Sequence, residues 1–410
     1  MTETGSEFAY GSLFSAAVPA AAARFAGLPK YNFGTGHNDP EVIPTEALAE
    51  AAAAVIRRHG DRLAIYNLGQ GSLGFEGLRR FLADKLKRVR GIACTPDDIL
   101  VTTGSLQGID LVNQLMLERG DTVLVEEFSY SAAISKLRGL GVEIVGVPLD
   151  GGGLRVDAME EILVRLKERG VRPKYLYTIP TVQNPTGTIL SLERRHQLLR
   201  LTRAFGVPVF EDECYADVLW RHDAPQALYG IDPSQVIHIG SLSKSLAPAL
   251  RIGYVVAPWN VLGRMVAMKS DGGTGALDQM VAAEYFGSRF DEHVRKLSAA
   301  VEAKLDALME AIQAQFGTSA EVRRPEGGLF VWVRLPEQVD TRRLAPAAAA
   351  AGIAFNPGPE LSCEPETGRN WMRLCFALPS EQQIRDGVAE LARVCFEQTG
   401  IPQRSGNVAR

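Results

Sequence analysis

From about Asp98 onward, short apolar runs rich in β-branched residues alternate with longer amphipathic stretches. The amphipathic stretches predict helices, for example at Gln107–Glu118, Val156–Glu168 and Ser191–Phe205. The apolar runs predict strands at Ile99–Thr103, Thr122–Glu126, Val142–Val147, Tyr175–Ile179, Val207–Glu211, Val236–Ile239 and Ile252–Val256. This alternation is typical of an α/β fold with a mostly parallel sheet covered on both faces.

After Tyr254 the pattern changes. A long helical region around Asp291–Phe316 precedes three further predicted strands at Gly328–Leu335, Ile353–Asn356 and Trp371–Ala377, an order typical of a smaller α+β unit. The Ala- and Pro-rich beginning of the chain is expected to pack with this C-terminal part. We therefore predict three parts: a segment 1–60 that joins the small domain, a large domain over 61–288 and a small domain over 289–410.

The composition agrees with a globular protein of two domains. A chain of 410 residues is too long for one compact core, and 46% of its residues are apolar. The net charge of −4 does not suggest a nucleic-acid or membrane-surface partner. We find neither a signal peptide in Met1–Tyr10 nor an apolar run of the roughly 18 residues that a membrane span requires. Five cysteines without a CxxC pair indicate reduced thiols and no zinc site, so we expect a cytoplasmic protein without a metal.

The segment Ser241-Leu242-Ser243-Lys244, with Arg251 seven positions later, is the most informative stretch for chemistry. The Lys244 amine can form a Schiff base with an aldehyde cofactor. The two serine hydroxyls and the guanidinium are the donors that a phosphate tail would need. Arg251 could be a simple surface arginine, but the sequence Leu250–Tyr254 places it at the buried start of a strand, where an arginine needs an anionic partner such as a phosphate.

A second group of possible phosphate donors is Gly104-Ser105-Leu106-Gln107, which directly follows a predicted strand and opens a helix. Backbone N–H groups at a helix N-terminus, together with the Ser105 hydroxyl, can bind a phosphate dianion. Ser105 could instead only cap the helix. The donors at Ser241, Ser243 and Arg251 favour phosphate binding.

Two other polar segments also follow predicted strands. Asp212 ends the apolar strand Val207–Glu211, and Asn184-Pro185-Thr186-Gly187 follows Tyr175–Ile179. Ligands of parallel α/β sheets lie at the carboxyl ends of the strands, so both positions suit a binding site. The alternatives are purely structural roles: a helix cap at Asp212 and a simple turn at Asn184.

In order and spacing, the segments around Asn184, Asp212 and Lys244 resemble the fold-type I aminotransferases of the aspartate aminotransferase superfamily, which depend on pyridoxal 5′-phosphate (PLP). The resemblance runs from roughly Phe33 to the C-terminal helix and is nearest to the aminoadipate, kynurenine and aromatic aminotransferases. It implies a large PLP domain with a mixed, mainly parallel seven-stranded sheet, a smaller α+β domain from both termini, and a homodimer. No basic helix-turn-helix segment precedes residue 60, so the fused-regulator arrangement is not expected.

The resemblance also implies roles for single residues. Lys244 carries PLP, Asp212 keeps the pyridine nitrogen protonated, and Tyr130 stacks on the ring. Tyr215 and Asn184 reach the phenolic oxygen of the cofactor. Tyr130 could instead be a core tyrosine.

The remaining implied roles concern the phosphate and the substrate. The implied phosphate ligands are Ser105, Leu106, Gln107, Ser241, Ser243, Arg251 and, from the neighbouring subunit, Tyr66. Arg373 would clamp the substrate α-carboxylate in a bidentate fork, with Asn184 and Gly36 also near the substrate. Arg373 could otherwise be a half-buried strand residue facing solvent.

The implied activity moves an amino group between an α-amino acid and a 2-oxo acid through a Lys244 aldimine, with Lys244 as the base. The alternative is a PLP enzyme of the same fold that performs β/γ-elimination or replacement, cyclisation, decarboxylation or oxidation. A regulator without catalysis is disfavoured by the missing DNA-binding segment, and a mere binding protein would not need Lys244.

Three departures from the family pattern leave the substrate open. The segment Phe33–Pro40 replaces the usual segment that touches substrate, and Cys214 replaces a common proline. The Gly-rich segment Lys269–Thr274 is unusual and is expected to border the site.

Overall fold

A computed structural model describes residues 10–15, 18, 20–220 and 224–402. Its helices are α1 (Thr45–His59), α2 (Glu76–Arg90), α3 (Ser105–Met116), α4 (Ser131–Leu140), α5 (Val156–Glu168), α6 (Leu192–Phe205), α7 (Leu228–Ile231), α8 (Trp259–Met268), α9 (Ala276–Phe316), α10 (Thr341–Ala350) and α11 (Glu381–Thr399). Its strands are β1 (Tyr31–Asn32), β2 (Ile99–Thr103), β3 (Thr122–Glu126), β4 (Glu143–Val147), β5 (Leu149–Asp150), β6 (Gly153–Leu154), β7 (Leu176–Thr178), β8 (Val209–Asp212), β9 (Val236–Ser241), β10 (Ile252–Val256), β11 (Glu321–Val322), β12 (Phe330–Arg334), β13 (Ile353–Ala354), β14 (Asn356–Pro357) and β15 (Trp371–Cys375). Among these helices, none is long and apolar enough to cross a membrane.

Seven strands form one sheet in the order β2-β10-β9-β8-β7-β3-β4. The neighbours from β9 to β4 pair in parallel, whereas β10 is antiparallel to both β2 and β9. The predicted mixed, mainly parallel seven-stranded sheet is therefore confirmed. Three of its strands, β2, β3 and β10, have the predicted bounds, and the ends of the other four differ from the predicted ones by one or two residues.

Both faces of this sheet are buried, because successive strand residues enter different apolar clusters. In β3, Leu124 belongs to a cluster that includes residues of α1, α2, α5, α6 and the first half of α9. Its neighbours Val123 and Val125 belong to a cluster that includes residues of α3, α4 and α8. The near-continuous apolar sequence of such a strand is typical of a sheet covered on both faces, as predicted.

The C-terminal part forms a smaller antiparallel sheet in the order β11-β12-β15-β14. Its cluster includes residues of α10, α11 and the second half of α9, together with Tyr31 and Phe33 from the beginning of the chain. Strand β1 pairs in parallel with β13, which explains why this early segment joins the C-terminal part.

Two observations bear on the division into domains. Helix α1 buries Ala51 and Val55 in the cluster of the large sheet, although it lies within the segment 1–60. Helix α9 has 41 residues and contributes to both clusters, so the boundary predicted at residue 288 falls inside a continuous helix. The boundaries of the three parts stay a prediction.

The topology brings several strand ends to one edge of the large sheet. The parallel strands β7, β8 and β9 all end there, the last at Ser241. Strand β10 runs in the opposite direction and therefore begins at this edge, where Ile252 pairs with Thr103 at the end of β2. This is why Arg251 and the N-terminus of α3, which are far apart in sequence, are neighbours in space.

Candidate active site

A cavity of about 320 Å³ lies at this edge of the sheet. Its volume falls within the range of about 300–1,000 Å³ that is usual for small-molecule sites. The lining residues are Gly34, Thr35, Gly36, Ser105, Leu106, Tyr130, Ser131, Ile179, Asn184, Asp212, Cys214, Tyr215, Ser241, Ser243, Lys244, Pro248, Arg251, Asn356 and Arg373. Twelve of the fourteen predicted site residues are among them; Gln107 and Tyr66 are not.

The Lys244 amine lies inside the cavity. Its Nζ donates a hydrogen bond to the Gly36 carbonyl at 2.6 Å. The Asn38 amide donates to the backbone carbonyls of Lys244 and Leu246 at 3.4 and 3.1 Å, which fixes the loop that carries the lysine. Burial lowers the pKa of Lys244 below its ordinary value. A larger share of the amine is therefore neutral and nucleophilic at a given pH.

The Asp212 carboxylate is buried and held by uncharged donors. Its Oδ2 accepts from the Tyr177 hydroxyl at 2.7 Å, and its Oδ1 accepts from the Cys214 N–H at 3.1 Å. Burial raises the pKa of Asp212, and these hydrogen bonds act against that rise. The chain continues as a turn over residues 214–217, so Asp212 does not cap a helix. A ligand with an N–H group in the cavity would supply the donor or cation that such a carboxylate lacks.

The expected phosphate donors gather at the N-terminus of α3. Gly104 is the N-cap and makes no side-chain cap bond, so Ser105 is the first helical residue and not a cap. A Cβ on Gly104 would lie 2.0 Å from Nη2 of Arg251, which shows that the guanidinium lies across this N-terminus. The Ser241 hydroxyl accepts from the Ser243 N–H at 3.1 Å.

The expectation that Arg251 is buried was wrong: its side chain is exposed along the rim of the cavity. The residue has φ 53° and ends the short 3₁₀ turn Pro248–Leu250 before β10 begins. Because it precedes the strand instead of belonging to it, its side chain does not enter the sheet. Its Nη1 donates to the Pro248 carbonyl at 3.2 Å.

Two predicted site residues lie outside the cavity of this chain. The Gln107 side chain accepts from the Thr103 N–H at 2.8 Å and donates to Asp271 at 2.6 Å, so it faces away from the cavity. Tyr66 is 85% exposed. The segment Lys269–Thr274 contacts both residues but does not line the cavity either.

Arg373 reaches the cavity from the smaller sheet. It is only 6% exposed, so the alternative of a strand residue facing solvent was wrong. Its Nη1 donates to Asn184 Oδ1 at 2.8 Å, which gives the Asn-Pro-Thr-Gly turn a contact in the site. Its Nη2 donates to Asn356 Oδ1 at 2.7 Å and to the Gly34 carbonyl at 3.2 Å. Its Nε is buried without a hydrogen-bond partner.

The two tyrosines of the cavity differ in their surroundings. Tyr215 is buried and packs edge-on against Phe330, with ring centroids 5.0 Å apart. Burial raises the pKa of its hydroxyl, which keeps it a hydrogen-bond donor. Tyr130 precedes α4 and is partly buried. Gly36 lies close enough that a Cβ there would be 3.1 Å from Lys244 Nζ.

Four lining residues were not predicted as part of the site: Ser131, Ile179, Pro248 and Asn356. Gly34 and Thr35 also line the cavity, and they lie in the segment Phe33–Pro40 that the sequence associated with the substrate. Cys214 was noted only as a departure from the family. Ser131 and Cys214 are the sequence neighbours of Tyr130 and Tyr215, and that adjacency was the available signal. Asn356 is different, since only its cross-strand position beside Arg373 brings it into the site.

Comparisons with known proteins agree with this geometry. A family model described as aminotransferase class I and II matches residues 29–391. The aromatic-amino-acid aminotransferase 1 of Thermococcus litoralis is 32% identical over 363 residues, which are 88% of this chain and 86% of that protein.

Two crystal structures are also similar. LysN, the α-aminoadipate aminotransferase of Thermus thermophilus in complex with N-(5′-phosphopyridoxyl)-L-leucine, is 32% identical with a TM-score of 0.82, over 90% of this chain and 92% of that one. The multiple substrate aminotransferase of Thermococcus profundus is 31% identical with a TM-score of 0.87, over 95% and 99%.

The fold and the cavity thus define an enzyme of the fold-type I class that uses PLP. This chain belongs to the class I and II aminotransferase family and is a PLP-dependent aminotransferase.

Proposed function

We propose that this aminotransferase holds PLP on Lys244 and binds the α-carboxylate of its amino-acid substrate through Arg373. One observation carries the proposal: a single cavity contains an amine of lowered pKa, a buried carboxylate with uncharged donors, and a buried arginine with uncharged acceptors. When bound, PLP supplies an aldehyde that condenses with amines and a pyridine ring that accepts electrons.

The donors in the cavity fit such a cofactor. Ser105, Ser241, Ser243 and Arg251 would bind its phosphate, together with backbone N–H groups at the start of α3. The side chain of Gln107 points elsewhere, so only its backbone N–H is available for this role.

The ring would contact a second set of residues. Asp212 would hold the proton on the pyridine nitrogen, and the raised pKa of this carboxyl is the expected state of a buried acid whose cationic partner is part of the ligand. Tyr130 would stack on the ring. The Tyr215 hydroxyl and the Asn184 amide, both in the cavity, would donate to the phenolic oxygen.

In the reaction, Arg373 orients the substrate and Lys244 moves its proton. Arg373 would hold the α-carboxylate with two parallel hydrogen bonds, in the cavity that Asn184 and Gly36 also line. The Nζ of Lys244 would then remove the proton from the substrate Cα. Its lowered pKa favours the neutral amine that this step requires.

We further propose a homodimer in which Tyr66 acts on the phosphate of the neighbouring subunit. Its 85% exposure, and its position outside the cavity of its own chain, support this role. All five cysteines, at positions 94, 214, 363, 375 and 395, are free thiols, which supports a cytoplasmic location.

The test is transfer of the amino group by the purified holoenzyme. We would offer a panel of α-amino acids, including aromatic ones and α-aminoadipate because relatives carry those names, with 2-oxoglutarate as acceptor. We expect equal amounts of a new 2-oxo acid and of glutamate. Release of ammonia or carbon dioxide without an acceptor would instead favour elimination or decarboxylation.

A further inference from the structure

Asn356 lies directly opposite Arg373, because β14 pairs with β15 in that antiparallel register. Directly opposed residues of neighbouring strands project from the same face of a sheet, with Cβ atoms about 4.5–5.5 Å apart. Both residues line the cavity. The smaller sheet therefore delivers the amide and the guanidinium as a pair.

The hydrogen bonds of Arg373 go to uncharged oxygens. Its Nη2 donates to Asn356 Oδ1 at 2.7 Å, and its Nη1 donates to Asn184 Oδ1 at 2.8 Å. A guanidinium has only donors, so each amide must turn its oxygen towards it. None of these acceptors neutralises the arginine, whose charge stays available to an anionic ligand.

Glu360 is an exposed residue four positions after Asn356. Partial loss of solvent raises the pKa of Glu360, and the Asn356 amide and the charge of Arg373 both act against that rise. The acceptors that contact the Arg373 guanidinium itself are all uncharged.

We propose that Asn356 is a positioning residue for substrate binding: it aims the Arg373 fork into the cavity through an uncharged acceptor, which leaves the charge of the arginine to the substrate carboxylate. This inference rests on the proposed role of Arg373. An arginine already paired with a carboxylate must give up that partner before it binds a substrate anion. An arginine side chain without fixed acceptors is free to rotate, so its guanidinium loses the geometry for two parallel hydrogen bonds to a carboxylate.

The sharpest test is Asn356→Asp in the holoenzyme, since this substitution keeps the shape and adds a negative charge against Arg373. We expect the KM for the amino acid to rise roughly 10- to 100-fold, with a much smaller change in kcat, because hydrogen bonds to charged groups are worth that range. Asn356→Ala should raise KM by roughly 3- to 10-fold, and Asn356→Ser, which restores a short neutral acceptor, should recover part of the loss.

The matched control is Gln382→Glu, the same exchange of an amide for a carboxylate at an exposed position on α11. It should leave KM unchanged. A second readout is calorimetric binding of hexanoate, a monocarboxylate that cannot react, to each holoenzyme. Its affinity should fall in parallel with the rise in KM.

Unchanged KM and hexanoate affinity in Asn356→Asp would overturn the inference, as would equal losses of kcat and stability without an effect on KM. If that variant does not fold, KM and hexanoate affinity are compared in Asn356→Ala and Asn356→Ser. Wild-type values in Asn356→Ala would then overturn the inference. If the wild-type enzyme transfers no amino group but its hexanoate binding depends on Asn356, the proposed function fails and this inference stands.

Discussion

Asp212 and Glu213 are neighbours at the carboxyl end of β8, yet their carboxylates lie in different surroundings. Glu213 faces the interior, where it accepts from Arg90 at 2.6 and 2.7 Å and lies 3.5 Å from Arg195. Asp212 faces the cavity and accepts only from the uncharged groups of Tyr177 and Cys214.

The pKa values of the two carboxyl groups are therefore shifted in opposite directions. Burial alone would raise the pKa of Glu213, but the two arginines outweigh it and hold the pKa at about 2. For Asp212 no arginine opposes burial, and the pKa is raised. The comparison teaches that a buried acid with complete ionic pairing stabilises the fold, whereas one beside a cavity with neutral donors is suited to a cationic ligand.

The Glu213 cluster also has the spacing of a metal site, since ligand atoms of Glu211, Glu213 and His238 lie within 4.8 Å of one another. Its acceptors are nonetheless engaged. Glu211 accepts from two backbone N–H groups, at Leu228 and Tyr229, and contacts His238 Nδ1 at 2.9 Å. With Arg90 and Arg195 on Glu213, we interpret the cluster as a structural network.

The largest effect is expected from Lys244→Ala, which removes the reactive amine from the cavity. Turnover should fall by about 10,000-fold, since both the attachment of the cofactor and the transfer of the proton are lost. Borohydride should fix the cofactor to the peptide that contains Lys244 in the wild-type protein. Lys296→Ala, on an exposed face of α9, is the control and should retain full activity. Fixation to another lysine would contradict the assignment.

Asp212→Asn should lower turnover by about 1,000-fold, because a neutral amide cannot hold the proton on the pyridine nitrogen. In the apoenzyme the free energy of unfolding should stay equal or rise, since there the substitution removes a buried charge that has no cationic partner. Steady-state kinetics of the holoenzyme measure the first quantity, and urea unfolding of the apoenzyme measures the second. Near-normal turnover would mean that Asp212 serves only the turn that follows it.

Glu213→Gln should have the opposite effects to Asp212→Asn: it should lower stability and spare catalysis. It leaves Arg90 and Arg195 buried without their carboxylate, so the free energy of unfolding should fall by about 3–5 kcal/mol. The enzyme that remains folded should keep the wild-type KM. If this variant instead loses turnover at full stability, the division between the two carboxylates is wrong.

The parts of the site that the sequence predicted are those encoded in short segments at strand ends. Lys244, Asp212, Asn184 and Ser105 follow recognisable strands, and parallel strands bring their carboxyl ends to one edge. The start of the antiparallel β10 reaches the same edge, which accounts for Arg251. Its exposure was missed because a sequence does not reveal that a residue precedes its strand in a left-handed conformation.

What the sequence could not provide was pairing between distant segments. Asn356 was placed in a predicted strand, but its position opposite Arg373 depends on the register of β14 and β15. In the same way, the contact of Gln107 with Asp271 joins residues 164 positions apart and turns the side chain from the cavity. The prediction of a helix at Asp291–Phe316 also missed the early part of α9, whose residues enter the large-sheet cluster.

The smallest effect is expected at a third buried carboxylate, Glu126, which ends β3. This residue tests the effect of burial alone, because it lies outside the cavity. It accepts from Thr178, Ile179 and Gln183, all uncharged, and it does not line the cavity. Burial raises its pKa from 4.5 to about 7, against the effect of these hydrogen bonds.

A group whose pKa is raised on folding stabilises the protein below its unfolded pKa and loses that contribution as the pH rises through the folded value. For Glu126 the loss should therefore run from about pH 4.5 to about pH 7 and amount to at most about 3 kcal/mol. Glu126→Gln should flatten this part of the stability profile, measured by urea unfolding at several pH values, and should leave KM unchanged. If the wild type and the variant have parallel profiles, neutral donors suffice to hold a buried carboxylate ionised. The raised pKa of Asp212 would then no longer mark it as a ligand-binding carboxylate in contrast to Glu213. Only its position in the cavity would still do so.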